Sequence, residues 1–442
     1  MTMRLDRRFD RRTFIKLTSL AAAGAAGATL LRGLPAGVPA ARVAAAGTQH
    51  ISLAATDGFT FARGSVTGPG TTSILPDELA PAPLTWWGFG FRDVTGLTQS
   101  QTQAQRGKFQ ASAPQIYVDQ YVPALANDVQ ISLLNLGMMI RPDLTDAHTI
   151  HWHGFRNALP LFDGVPEMSV AVPIGRSFTY EYRPRDPGTY MYHCHNEDTE
   201  HVSMGMTGIV FVRPAQNSGA GPIPAGKYVY NDGVLPSNPR STAYDREWGM
   251  FLSEGWAQEH WDGAHIQEHD WSDYNADLWF LNGRSWPDTI VGPGGGTDAS
   301  GDLVAPAGHD ELQYNPISSL VKANSGDRVL LRFVNLGFQQ HAMTIDGLTM
   351  RVVGKDATYL NGRDGTDLSY LTNTVYIGPG ESVDAIITAP TVSSETTFLL
   401  YNRNLAYLHN PGEAGRGGQM TEIHVFPAGT VGPQPEPNKN PA

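Results

Sequence analysis

An all-β protein of two sandwich domains is the fold that the sequence predicts, and three observations carry the expectation. Short strand-like runs recur at 115–118, 129–134, 177–182, 208–212, 328–333, 374–377, 382–388 and 397–401. Each alternates polar with apolar residues or is rich in Val, Ile, Phe and Tyr, and turn residues bound it. With 48 Gly and 31 Pro in 442 residues, much of the chain is committed to turns, and no long run of helical periodicity competes. A Pro/Gly/Ser-rich stretch, 214–226, reads as a linker between two strand-bearing regions, 47–213 and 227–427. The Pro-, Gly- and Asn-rich end, 428–442, reads as a disordered tail.

The first 46 residues read as an address. Asp10-Arg11-Arg12-Thr13-Phe14-Ile15-Lys16 resembles a twin-arginine export signal, and an Ala/Leu/Gly run follows from Leu17 to Leu31. Ala44-Ala45-Ala46 offers a small-residue cleavage site. The expected location is therefore secreted, periplasmic or in the cell envelope, with no stable membrane span after cleavage. The whole chain carries a formal charge of −12; beyond residue 46, 23 basic and 41 acidic residues leave −18. That balance argues against nucleic acid as a partner. A single cysteine, Cys194, excludes an intramolecular disulfide.

The two regions echo each other. Ser132 to Gly137 ends in Asn-Leu-Gly just before a histidine-bearing segment, and Leu331 to Gly337 does the same. A duplicated domain is the expectation.

Six of the 14 histidines, together with Cys194, lie between His148 and His201, and Met206 follows. The first group is His148-Thr-Ile-His151-Trp-His153-Gly154 and the second is His193-Cys194-His195. On a strand, alternate side chains face opposite sides. His148 then shares a side with Ile150 and Trp152, opposite His151 and His153; Cys194 shares a side with Tyr190 and Tyr192, opposite His193 and His195. Two metal sites are predicted. His148, Cys194, His201 and Met206 make a His2Cys set with a weak thioether, the donor set of a blue-copper electron-transfer site. His151, His153, His193 and His195 make an all-imidazole set suited to copper or zinc. Cys194 is bonded in sequence to His193 and His195, so a short covalent route joins the sites. A structural zinc cluster would normally use several cysteines.

His-x-x-His-x-His-Gly followed by His-Cys-His and a spaced His and Met resembles the multicopper oxidase family, with a two-domain architecture similar to two-domain laccases and copper nitrite reductases. The likeness also takes in Phe162-Asp-Gly-Val-Pro and Pro173-Ile-Gly and, more loosely, Leu281-Asn-Gly-Arg-Ser-Trp-Pro-Asp. The resemblance implies two cupredoxin-like Greek-key β-sandwich domains. It implies type 1 copper on His148, Cys194, His201 and Met206, plus at least one all-histidine copper on His151, His153, His193 and His195, the first domain's share of a trinuclear cluster. The implied activity is oxidation of a small-molecule or metal-ion electron donor at the His201 edge, with electrons passing to the all-histidine centre and reducing dioxygen. A homotrimer is implied too, since in two-domain relatives a neighbouring second domain completes the cluster. A nitrite-reductase-like enzyme and a non-catalytic type 1 electron carrier are the alternatives. Against nitrite reduction, His151 stands where those enzymes place a catalytic Asp, and no His lies near Arg403.

The second domain departs from the pattern. His341-Ala-Met-Thr344-Ile-Asp346-Gly347 replaces the first motif, and Asn402-Arg403-Asn404 is read in the place of His-Cys-His. His341, His409 and Met420 remain as traces of a second type 1 site; Thr344 and Asp346 could offer oxygen ligands or a proton relay. Asp163 reads as a turn residue with a relay as the alternative. Glu197, Asp198 and Glu200 read as a solvated acidic loop, and Trp86-Trp87 as sandwich packing. His260, His265 and His269 read as a polar surface loop, with an interface metal as the alternative.

Overall fold

A computed structural model describes residues 47–219 and 223–441. The export signal expected at 1–46 lies outside the described residues. The first sandwich is built from β1 (Gln49–Phe61), β2 (Val66–Thr67), β3 (Ser73–Leu75), β4 (Thr85–Asp93), β5 (Ile116–Asp119), β6 (Val129–Asn135), β7 (His151–His153), β8 (Ser177–Tyr182), β9 (Gly188–His193) and β10 (Thr207–Arg213). Its two main sheets run β4-β1-β6-β8 and β5-β10-β9-β7. Period-2 patterning selects the inner face: along Val129–Asn135 every second residue is buried. Leu53, Phe89, Phe91, Ile131, Leu133, Trp152 and Tyr192 fill the space between the sheets.

The second sandwich repeats the layout. It contains β11 (Arg246–Gly255), β12 (Leu278–Leu281), β13 (Val321–Asn324), β14 (Arg328–Asn335), β15 (His341–Ile345), β16 (Met350–Lys355), β17 (Thr358–Tyr359), β18 (Tyr370–Thr372), β19 (Thr374–Ile377), β20 (Ser382–Thr388), β21 (Thr396–Asn402) and β22 (Met420–Phe426). One sheet runs β12-β11-β14-β20 and continues to β16-β17; the other runs β13-β22-β21-β15 and continues to β19. The parallel pairs also correspond: β1 with β6 as β11 with β14, and β5 with β10 as β13 with β22. The Asn-Leu-Gly echo is one turn made twice. Asn135 Oδ1 accepts from Gly137 N at 2.9 Å, and Asn335 Oδ1 accepts from Gly337 N at 2.9 Å. The chain is thus an all-β pair of cupredoxin-type Greek-key sandwiches.

Three short helices complete the described chain, α1 (Gln99–Gln103), α2 (Asp198–Met204) and α3 (Ala257–Ala264), of which α2 carries His201. Two expectations need correction here. Asp198 and Glu200 lie in the first turn of α2, not in a loop, where carboxylates suit the unpaired N–H groups. Residues 257–264 form a helix that buries His260, whose ring stacks on Trp86 at 3.6 Å and whose Nδ1 donates to Trp87 O at 2.6 Å.

The linker is tethered where it is described: Ala215 N donates to Gln120 Oε1 and Tyr228 N to Asn217 Oδ1. The expected disordered tail is also corrected. Its side chains satisfy the outer edge of β11: Gln434 Oε1 accepts from Glu247 N at 2.7 Å and Asn438 Oδ1 from Gly249 N at 2.8 Å. Both residues are buried. Polar composition suggested disorder, but amides that pair with an open strand edge remove the penalty of burying it.

The sandwiches meet through Met191, Ile209, Phe211, Phe251, Val334 and Leu336. Beside this contact the fully buried Arg332 donates to Glu247 at 2.6 Å, to Asp384 at 3.2 Å and to Thr189 Oγ1 of β9 at 2.9 Å.

Candidate metal centres

The bridge between His148 and Val172 and the end of β9 bring His148, Cys194 and His201 together, each offering one ligand atom within 4.8 Å of the others. Cys194 Sγ lies 3.2 Å from His201 Nδ1 and 4.0 Å from His148 Nδ1. All three are buried. His201 comes from α2, which starts four residues after Cys194 and returns the chain to the sulfur. Met206 is buried beside them; its N–H donates to His201 O and its carbonyl accepts from Cys194 N. Burial pushes the Cys194 thiol up to about 11 and His201 down to about 4, and holds His148 well below its ordinary range. The buried sulfur faces the Nδ1 atoms of both imidazoles, and one sulfur with two imidazole nitrogens is the donor set of type 1 copper.

The second cluster holds His151, His153 and His193, again within 4.8 Å. His195 sits beside it, its ring 5.1 Å from that of His151. The pairing of His151 with His193 across β7 and β9 sets this geometry. His151 Nδ1 donates to Asp163 O and His193 Nδ1 to Cys194 O, both at 2.7 Å. A carbonyl only accepts, so each Nδ1 carries the proton and each Nε2 keeps its lone pair for a metal. Burial lowers His151 and His153, and takes His193 down to about 3. The cluster is neutral and all-imidazole, which suits copper. The sandwich interface covers one side of it. Gly380, in the turn between β19 and β20, has φ +77°, and a Cβ there would stand 3.1 Å from His153 Nε2.

Asp163 caps a short 3-10 turn, Pro160–Phe162, and its carboxylate is 3.6 Å from His151 Nδ1. Thr149 was not singled out by sequence. Its N–H points to Cys194 Sγ at 3.4 Å, and its hydroxyl oxygen accepts from His195 N at 2.8 Å. Its place between two candidate ligands, His148 and His151, was the available signal. Trp87 is fully buried and Trp86 nearly so, as packing residues should be.

The second sandwich shows what occupies the same positions without a metal. Cys194 N donates to Met206 O at 3.1 Å, and Asn402 N donates to Gln419 O at 3.1 Å. β15 pairs with β21 so that Met343 faces Asn402 and Thr344 faces Tyr401. Asn402 therefore stands at the place of Cys194, Gln419 at that of Met206, Tyr401 at that of His193 and Arg403 at that of His195. This corrects the expected Asn402-Arg403-Asn404 match by one residue. Met420 likewise loses its assignment as a trace of the thioether. Asn402 Nδ2 donates to His341 Nδ1 at 3.1 Å and to Gln419 Oε1 at 2.8 Å, while His341 Nε2 meets Glu254 Oε2 at 3.2 Å. Hydrogen bonds use both ring nitrogens. His409 follows Asn402 at the spacing by which His201 follows Cys194, yet it is exposed and holds Ala406 O. Thr344 and Asp346 replace His151 and His153; Thr344 donates to Asn373 O, and Tyr401 donates to Asp346 at 2.8 Å.

Comparisons with known proteins match both sandwiches. A family profile described as "Multicopper oxidase" matches residues 128–217, and a second with the same description matches residues 269–425, together more than half of the chain. Laccase-13 of Arabidopsis thaliana is 26% identical over 247 residues, covering 54% of this chain and 35% of that protein. Copper resistance protein A of Pseudomonas syringae pv. tomato is 24% identical over 282 residues, covering 59% and 40%. The chain spans well under half the length of these relatives. In fold, it is similar to the solved blue copper oxidase of Nitrosomonas europaea, with a TM-score of 0.56, 21% identity and 86% of each chain covered. The copper nitrite reductase of the same organism gives a TM-score of 0.51 at 16% identity, over 89% of this chain and 98% of that one. With both profiles matched and two His/Cys clusters in place, the chain belongs to the multicopper oxidase family.

Proposed function

We propose that the protein is a copper-dependent oxidoreductase that accepts electrons at the Cys194 cluster and delivers them to the all-histidine cluster, where dioxygen is the acceptor. The observation that carries this is adjacency. Cys194 belongs to one cluster, its chain neighbour His193 to the other, and His193 Nδ1 is bonded back to Cys194 O at 2.7 Å. Copper, when bound, supplies one-electron redox chemistry at both clusters. His148, Cys194, His201 and Met206 are the proposed type 1 ligands; His151, His153, His193 and His195 are the proposed ligands of the second centre. The residues around them have their own tasks. Thr149 N–H tunes the sulfur, Asp163 and Cys194 carbonyls orient two imidazoles, and the Asp163 carboxylate is placed to hold a proton near His151. His201 is fully buried, with Phe89 packed edge-on at 5.2 Å. An electron donor, small molecule or metal ion, therefore acts through this shell without touching the ligand.

A neighbouring subunit in a proposed homotrimer would present the same second sandwich, whose Thr344, Asp346, Tyr401 and Arg403 bring no imidazole. Four histidines then serve the all-histidine centre. That count is also enough for a nitrite-reducing centre with a single such copper, the second reading. Export by the twin-arginine route to the cell exterior or envelope is proposed from residues 10–16.

Oxygen uptake by copper-loaded protein, with phenols and with reduced metal ions as donors, tests the reading. Donor-dependent uptake is expected. No uptake with any one-electron donor would overturn dioxygen as acceptor, and nitric oxide released from nitrite would put the second reading in its place. Unchanged function after joint replacement of His153 and His193 would leave only an electron carrier.

A further inference from the structure

We propose a third metal site, for a zinc-class divalent cation, held by Asp77, Glu78 and His265 at the seam between the two sandwiches. No residue of it belongs to the copper clusters. Asp77 and Glu78 follow β3 in the first sandwich; His265 ends α3 in the second. Their ligand atoms lie within 4.8 Å of one another: His265 Nε2 is 3.4 Å from Glu78 Oε1 and 3.7 Å from Asp77 Oδ1. Ligands about 2.0–2.1 Å from a tetrahedral zinc stand roughly 3.4 Å apart, so the opening has the right size.

Three further observations point to an ion. The Asp77 side chain is 1% exposed; Leu79 N donates to its Oδ1 at 2.8 Å, and its Oδ2 has no partner. A buried carboxylate with one hydrogen bond is costly, and a cation held by that carboxylate offsets the cost. His265 Nδ1 donates to Trp261 O at 2.7 Å, which fixes the ring so that Nε2 faces the two carboxylates. A divalent cation can take the place of a proton between this nitrogen and the carboxylates. The surroundings are also built as a support: the Trp261 ring stacks on His265 at 4.0 Å, and its Nε1–H holds Glu78 Oε2 at 3.1 Å. That arrangement, an imidazole fixed through Nδ1 and a carboxylate fixed through its second oxygen, is how metal-binding side chains are oriented.

One imidazole and two carboxylates favour Zn2+ over Ca2+ or Mg2+, which take oxygen alone. The bound ion would clasp α3 to the first sandwich. Because α3 packs on α2, where Ser203 holds Glu259 at 2.6 Å, the clasp supports the wall of the type 1 site.

The test is calorimetric titration of the copper-loaded protein with zinc chloride, with metal analysis after dialysis and the blue absorption followed throughout. One zinc per chain is expected, with the blue band unchanged and a raised unfolding midpoint. Glu78→Gln and His265→Gln should each weaken zinc binding by at least about 10-fold and abolish the rise in midpoint. Glu78 is exposed, so E78Q reads the site even where H265Q fails to fold. No zinc retained beyond the copper clusters, or equal zinc affinity in the parent and E78Q, would overturn the proposal.

Discussion

The two sandwiches share a strand order and a turn, yet one gathers two sets of metal-ligating side chains and the other gathers none of the same kind. The difference is concentrated in side chains at matched backbone positions. Where the first has the Cys194 sulfur facing two imidazoles, the second has Asn402, which donates both to Gln419 and to His341. Where the first has convergent imidazole lone pairs, the second has Thr344, Asp346, Tyr401 and Arg403. A buried polar position must be satisfied somehow; hydrogen bonds do it in the second sandwich, and a metal ion would do it in the first. The second sandwich instead provides the wall of the first: Gly380 against His153, α3 against α2, and Arg332 reaching Thr189.

Breaking that wall has the largest expected effect. Arg332→Met leaves Glu247 and Asp384 as buried carboxylates without their shared cation, and should lower unfolding stability by about 3–5 kcal/mol in denaturant titration. A loss below ~1 kcal/mol would contradict a structural role for this buried ion-pair network.

Acid should act on the first sandwich through its histidines. His193 and His201 are held neutral by burial, near 3 and 4, whereas in the unfolded chain they take up protons at about 6.5. The unfolded state binds more protons across this window, so the stability of metal-free protein should be full above about pH 6.5 and fall from there towards pH 4. Copper should flatten that slope, since it occupies the same lone pairs. A metal-free melting midpoint that stays level from pH 7 to about pH 4.5 would contradict the neutral-imidazole assignment.

A graft sharpens the comparison. Asn402→Cys with Gln419→Met restores two ligands to the second sandwich, but His409 stays exposed and Glu254 still engages His341. Copper per chain should not rise and no second blue band should form. A new blue centre would show that sequence identity, not side-chain placement, had silenced the site. The smallest effect is expected for Tyr401→Phe, which removes a half-exposed hydroxyl from Asp346 and should change stability by less than about 0.5 kcal/mol.

Much of this organisation could be read before any coordinates. Alternation in the sequence separated His148 and Cys194 from His151, His153 and His193, although the strands themselves cover only His151–His153 and Gly188–His193, with His148 on an isolated bridge to Val172. The turn made by Asn135 and Asn335 was visible as a repeated tripeptide. Other features were hidden for physical reasons. Asn402-Arg403-Asn404 imitates a polar triplet, and only the pairing of β15 with β21 shows that Asn402 takes the thiol position. Gln434 and Asn438 look like tail residues until β11 offers its edge. Asp77 and His265 are far apart in the chain, and a metal site made by two domains leaves no local spacing to recognise. His260 looked like a loop residue because eight residues are too few to display a convincing helical period.

The most direct measurement is copper per chain, with optical and spin-resonance spectra, for the parent and for Cys194→Ser. If the first sandwich holds both centres, the parent shows an intense blue band together with a second copper signal, and the variant loses the blue band while keeping the second signal. A blue band that survives Cys194→Ser, or a parent that binds no copper beyond a single blue centre, would contradict two separate clusters in one sandwich.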